Sequence, residues 1–250
     1  MSEAARDPVF LALVVALLGF LIGLTKGGFN VLGGLLTPML SLIVPVSTAV
    51  GVLLPMLIVG DAFAIYMYWR SWNGGLVQRM LPAGVIGALI GTALLAVMSP
   101  NALRVVLAIF VLFLVAYKFL SDRMQQLAYR PRAWHPHAAG ALAGVASGMF
   151  NNGGPAFNSY LLLQNLPPRV FIATTALFFA LLNLLKIPGF LATGVLDVQL
   201  LLSLWWAFPF IPLGILAARW LVTHIHQQTF EWAIMALLVL SSVLLLLQSV

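Results

Sequence analysis

The amino-acid sequence predicts an all-α polytopic membrane protein of two inverted-topology repeats. Each repeat opens with a discontinuous or re-entrant helix pair and continues into three spans. Three observations predict this. The chain is 62% hydrophobic and 7% charged with a mean hydropathy of +1.08, whereas soluble domains carry about 25% charged residues. Its apolar stretches are continuous, as in "LRVVLAIFVLFLVAYKFL", rather than the short alternating segments of a β-barrel. One motif also occurs twice: "GLTKGGFN" at 23–30 aligns without gaps to "GVASGMFN" at 144–151, an offset of 121.

Apolar segments run over 9–24, 31–44, 46–69, 77–98, 102–120, 138–150, 155–164, 170–192, 197–223 and 229–249. The longer ones reach across a hydrocarbon core of about 30 Å at 1.5 Å per residue. The two flanking "TKGGFN" give only about 24 and 21 Å, and those around "NNGG" are shorter still. Whether each short pair is a re-entrant hairpin or two thin spans stays open at this level. Beyond the paired motif, Pro45 matches Pro167, Pro82 matches Pro209 and Gly87 matches Gly214, so the offset drifts only to 127. Similarity that weak but that regular is the mark of an internal repeat. The division is therefore 1–120 for the first repeat, 121–137 for a linker ("SDRMQQLAYRPRAWHPH") and 138–250 for the second repeat. Residues 10–24 behind Arg6 imitate a signal peptide, but no small-x-small cleavage site follows, and the segment reads as a retained first helix.

Loop charges orient the repeats. Lys118, Arg123, Arg130 and Arg132 place the central linker in the cytoplasm, and the arginines of the 70–79 loop suit the same side. The equivalent second-half loop at 193–198 has no Lys or Arg and contains Asp197, whereas the 219–226 region, with Arg219, His224 and His226, looks internal. Opposite biases at equivalent loops predict inverted repeats; the expected location is the cell membrane, that of a bacterial inner membrane. The net charge of +6 is too dispersed for a nucleic-acid patch. The absence of cysteine removes disulfides, thiolate metal sites and cysteine nucleophiles.

The polar residues inside the apolar segments are the candidate site. A lysine at bilayer depth costs about 2.5–3.5 kcal/mol unless paired or solvated, so Lys26 points to function. Gly27 and Gly28 loosen the helix there, and broken backbone is tolerated only where it is buried in protein or lines a wet cavity. A half-helix starting near Phe29 would aim free N–H groups and a positive dipole end at that cavity, with Asn30 adding donors. The second copy supplies Ser147, Asn151, Asn152, Gly153, Gly154 and Asn158 in the same setting. Donors and positive charge without acid make this a site for an anion. Gly33, Gly34, Gly84, Gly87 and Gly91 read instead as helix-packing positions. Asp61 is the one acid deep in a span and either carries a coupling proton or forms a structural ion pair with Lys26 or Lys186. Asn183 and Lys186, three residues apart, share a helix face toward the cavity unless Lys186 snorkels to the interface.

The pairs His135/His137 and His224/His226 lie in loops without carboxylate or thiol partners, so no metal is assigned. No cofactor fingerprint, catalytic triad or zinc-protease motif occurs, so no cofactor is implied and an enzyme is not expected. The tryptophans read mostly as interfacial anchors, with the Trp205–Trp206 pair the poorest fit.

The stretches "GFLIGLTKGGFNVLGGLLTPML" and "GALAGVASGMFNNGGPAFNSYLLLQNLPPRVFIATTALF" resemble the paired signatures of the sulfite exporter TauE/SafE-like permeases. In both, a glycine-rich turn leads to a proline and a Pro-x-x-Ala-Thr-like segment, here "LPPRVFIATTALF" and, more weakly, "VPVSTAV". The resemblance implies transport of sulfite, sulfonates or related small organic anions. Lys26 and Asn30, and Met149, Asn151 and Asn152, stand where the family carries a triple-glycine turn. The expected function is therefore a secondary transporter, an exporter of a small anion, working by alternating access around a midplane site with possible proton coupling through Asp61. An uncoupled anion channel and a non-transporting membrane scaffold are the alternatives.

Overall fold

A computed structural model describes residues 8–29, 32–124, 132–224 and 227–249. Asn30, His226, Arg6 and residues 125–131 of the linker lie outside the described residues. All regular structure described is helical. The helices are α1 (Pro8–Gly27), α2 (Gly33–Ser41), α3 (Val46–Met67), α4 (Gly74–Val97), α5 (Pro100–Met124), α6 (His135–Phe150), α7 (Gly154–Leu162), α8 (Pro168–Ala192), α9 (Val198–Ser203), α10 (Phe210–His224) and α11 (Gln227–Leu247). Among the described residues, α3, α4, α5, α8 and α11 are long and apolar enough to cross a membrane. The protein is an integral membrane protein.

The two interrupted openings fall where the sequence places them. The nine residues each of α2 and α7 reach about 14 Å, far short of a crossing. Their predecessors are longer: the 20 residues of α1 carry it through Lys26 to about 30 Å, beyond the 24 Å expected. The matched prolines do the same work in each half. Pro45 and Pro167 precede α3 and α8 with nearly identical backbone angles, φ −54° with ψ 147° and 142°. That ring-locked φ pre-sets the helix start without requiring a donor.

Two features differ from expectation. The apolar segment 197–223 is not one span: it divides into α9, a 3₁₀ turn at Trp205–Ala207 and α10. Pro209 has no N–H for a continuing helix at this point, and Trp205, in the turn before it, is 71% exposed. The linker is also shorter than 121–137, because α5 runs to Met124 and α6 begins at His135.

Packing pairs elements across the halves. α1 lies along α10 and α4 along α6, while α3 meets α8 and α5 meets α11. The first two contacts are backbone-close. A Cβ on Gly23 would stand 2.1 Å from Ile211 O, and one on Gly144 would stand 2.0 Å from Gly84 O. Gly87 and Gly91 face such backbone contacts, a Cβ on Gly84 would stand 2.9 Å from the Phe178 ring, and all three are the packing positions the sequence indicates, whereas Gly33 meets nothing within 4 Å and Gly34 faces only the Asn152 side chain and Leu238 at 3.6 Å or more. Those two belong to a cavity instead. A stacked and edge-on cluster of Phe157, Phe178 and Phe179, with centroids 4.1–5.4 Å apart, joins α7 to α8 beside it.

The α4 start is fixed by Asn73, whose side chain accepts from Leu76 N at 3.1 Å while its own N–H donates to Thr174 Oγ1 of α8 at 2.9 Å. Asn73→Ala is expected to destabilise the protein by about 1 kcal/mol, the usual loss of an N-cap. Thermal unfolding in detergent measures it.

Candidate functional site

The site forms where the broken tips approach the middle of α3 and α8. A cavity of about 90 Å³ is lined by Thr25 and Lys26 of α1, Gly33, Gly34 and Leu36 of α2, and Ser147 of α6. Asn151, Asn152, Gly154, Pro155 and Asn158 continue the wall, and Phe171, Thr175, Phe179 and Asn183 of α8 close it opposite Leu57 and Ala64 of α3. That volume suits a small solute, since pockets for drug-sized ligands run to about 300–1,000 Å³.

Two helix N-termini open on this space. The α2 start at Gly33–Gly34 and the α7 start at Gly154–Pro155 line it, and neither has a side-chain cap. Their partial positive ends favour negative charge. The backbone entering them turns sharply: Gly28 has φ 142°, and Asn151, which caps α6, has φ 53°. The second value is one that asparagine tolerates better than most residues.

Lys26 sits in the last turn of α1 with its side chain 16% exposed, and it forms an ion pair with Asp61 of α3, which is 0% exposed. Asn183 Nδ2 donates to the other Asp61 oxygen at 2.9 Å. The carboxylate is thus held behind the wall by two residues that line the cavity. Of the two partners the sequence allows Asp61, the structure selects Lys26.

Lys186 is buried at 2% exposure and does not snorkel. It is not part of the cavity wall. Its Nζ donates to Ser147 O and Oγ, each at 3.0 Å, and to Asn151 Oδ1 at 2.7 Å. A cation there meets the carbonyl end of α6, where the helix dipole is negative. Asn151 in turn donates from Nδ2 to Val50 O of α3 at 2.8 Å. Thr37 Oγ1 ties α2 to the same place through Phe150 O at 2.6 Å.

The sequence-derived residues therefore separate into groups. Lys26, Ser147, Asn151, Asn152, Asn158 and Asn183 converge on the cavity. Gly27 and Gly153 do not face it: Cβ atoms there would stand 2.4 Å from Ala218 Cβ and 2.3 Å from Ala143 O, so they let helices touch. Gly28 makes the turn but lines nothing. Gly154 of the second motif is also in the wall, Gly33 and Gly34 are wall residues that the sequence assigned to helix packing, and Thr25 and Thr175 are wall residues that sequence reasoning passed over. The signal for Thr175 existed, since Phe171, Thr175, Phe179 and Asn183 recur every four residues along the α8 face.

A bundle of apolar helices closing around donors, one lysine and two bare helix starts is the architecture of a membrane permease. The model of the sulfite exporter TauE/SafE family matches residues 12–245, and the chain belongs to that family. It is a family of membrane transporters for sulfite export rather than of enzymes, which bears out the resemblance carried by the two glycine motifs. No curated protein and no solved structure matches the chain at the significance required.

Proposed function

We propose that this chain is a secondary transporter that exports a small oxygen-rich anion, namely sulfite, a sulfonate or a related organic acid. It works by alternating access around the 90 Å³ cavity. The observation that carries the proposal is the meeting of Lys26 with the uncapped starts of α2 and α7 on one small wall. Half-helix N-termini at the midplane are how broken-helix transporters hold anionic groups. Lys26 supplies charge. Asn151, Asn152 and Asn158, together with Asn30 of the first motif, supply amide donors, and Ser147 and Asn183 add polar contacts.

The repeats are inverted in this reading, with 1–120 and 138–250 as the two units and the linker in the cytoplasm of a bacterial inner-membrane protein. The cross-half pairing of α1 with α10, α4 with α6 and α3 with α8 supports it, as do the matched prolines before α3 and α8. Asp61 couples transport to a proton. While it is ionised it holds Lys26; once it is protonated the ammonium is released to the substrate, so anion and proton share one switch.

The test is transport by the purified protein in proteoliposomes, using sulfite and a simple sulfonate with and without a pH gradient. Accumulation against the anion's own gradient, driven by pH, is the expected result. Flux that never exceeds equilibration would make the protein an anion channel, and no flux with either anion would remove the proposal.

A further inference from the structure

A second cavity of about 340 Å³ is lined by Ser47 and Thr48 of α3, Leu95 and Ala96 of α4, Met98, Pro100 and Leu103 around the α4–α5 turn, and Thr193, Gly194, Val195 and Asp197 after α8. It lies at the other ends of the same two helices that wall the first cavity. On α3 the first cavity is lined at Leu57 and Ala64 and the second at Ser47 and Thr48. On α8 the first is lined from Phe171 to Asn183 and the second begins at Thr193. At 1.5 Å per residue the walls are about 14 Å apart on α3 and about 15 Å apart on α8.

What fills that interval is one apolar cluster containing Val50, Leu54, Phe150 and Phe190, each no more than 2% exposed. One polar chain passes through it. Lys186 Nζ grips Ser147 and Asn151 of α6, and Asn151 grips the Val50 carbonyl of α3. The ammonium has three N–H groups, and the three oxygens it meets are neutral. Gly51, one residue on from Val50, is so close to the α8–α9 connection that a Cβ would stand 2.1 Å from Val195 O.

We propose that the 340 Å³ cavity is the second mouth of the transport pathway, and that the Lys186–Asn151–Val50 chain pins the apolar plug shut between the two. This rests on the transport reading of the first cavity and adds to it a route, a barrier and a positioning role for Lys186. The first cavity holds an anion because Lys26 and two helix starts line it. The second has no lysine or arginine in its wall and one carboxylate, Asp197, whose Oδ1 accepts from Gln199 N at 2.9 Å, so it does not retain an anion. When the plug opens, Lys186 loses its neutral oxygens and becomes the cation a passing anion meets next. One face captures and the other releases.

The chain has no cysteine, so single cysteines report side-access without background. Ile172, which also lines the first cavity from α8, marks it as Ile172→Cys, and Thr48→Cys marks the second, each probed with a membrane-impermeant maleimide in vesicles of both orientations. The expected result is labelling of the two from opposite sides. Lys186→Met or Asn151→Leu, introduced into the Ile172→Cys chain, should raise its labelling from the Thr48 side by about tenfold, as loss of charge-assisted hydrogen bonds implies. The two variants break different links of the pin, so a folding failure of one leaves the other to decide. Labelling of both cysteines from the same side would overturn the proposal, as would folded variants that leave access unchanged. Sulfite flux measured in the same vesicles separates the two readings. Opposite-side labelling without flux removes the transport reading alone, and flux with same-side labelling removes the second mouth alone.

Discussion

Lys26→Met is expected to abolish anion binding and to destabilise the protein by about 3–5 kcal/mol, the range for removing one partner of a buried pair. The loss comes from Asp61. With its side chain fully buried and Asn183 its remaining partner, the carboxylate would be left without a cation in a low-dielectric setting, and either holding its charge there or taking up a proton costs stability. The double variant Lys26→Met/Asp61→Asn removes that charge and should recover most of the stability, because a neutral amide still meets Asn183. It should not recover binding, because the cavity then lacks its lysine. Asp61→Asn alone points the other way: Lys26 is released from its partner and the anion should bind more tightly while turning over more slowly. Unfolding midpoints in detergent give the stability arm, and sulfite-induced thermal shifts give the binding arm. A Lys26→Met protein that still shifts with sulfite would show that another group holds the anion. A double variant as unstable as the single one would show that the uncompensated Asp61 charge is not the cause.

Much of this arrangement was legible in the sequence because membrane burial makes polar residues conspicuous. Lys26, Asp61, Asn183 and Lys186 interrupt apolar runs, and each is engaged in a polar contact in the structure. The paired motifs located both breaks, though not residue for residue: the positive-φ positions are Gly28 (φ 142°) and Asn151 (φ 53°), and Gly28 aligns with Met149 rather than with Asn151. What was not legible depends on depth and direction. Lys186 and Asn183 do share a helix face, yet Asn183 reaches the cavity and Lys186 stops behind it on the α6 carbonyls. A spacing of i, i+3 cannot tell those apart. The glycines were divided correctly at Gly84, Gly87 and Gly91 but not at Gly27, Gly33, Gly34 and Gly153, because one residue type serves helix contact and cavity wall alike and only the neighbouring helix decides which. The interruption between α9 and α10 was hidden by hydropathy, which scores Trp205, Trp206 and Pro209 within a continuous apolar window.

That division among glycines yields the second large effect. Gly144→Ala is expected to destabilise the protein severely, by about 1–3 kcal/mol or more, while Gly33→Ala leaves folding nearly unchanged. At Gly144 the added methyl would stand 2.0 Å from Gly84 O and 2.9 Å from Ala88 N, both backbone atoms that no side-chain rotation can move. Relief requires α6 and α4 to separate, which loosens the most closely packed pair in the bundle and, with it, the helix end carrying Ser147 and Asn151. Inside a bilayer there is no hydrophobic drive between helices to offset that loss, because packing itself holds them together. Gly23 should behave alike against α10, its methyl 2.1 Å from Ile211 O. Gly33 has open space around it, so its methyl enters the cavity and takes volume from the anion. The expected signature is a wild-type unfolding midpoint with weakened sulfite stabilisation for Gly33→Ala, and a lowered midpoint for Gly144→Ala and Gly23→Ala. Equal midpoints across all three would mean that the α4–α6 and α1–α10 contacts are not the close approaches that hold the halves together.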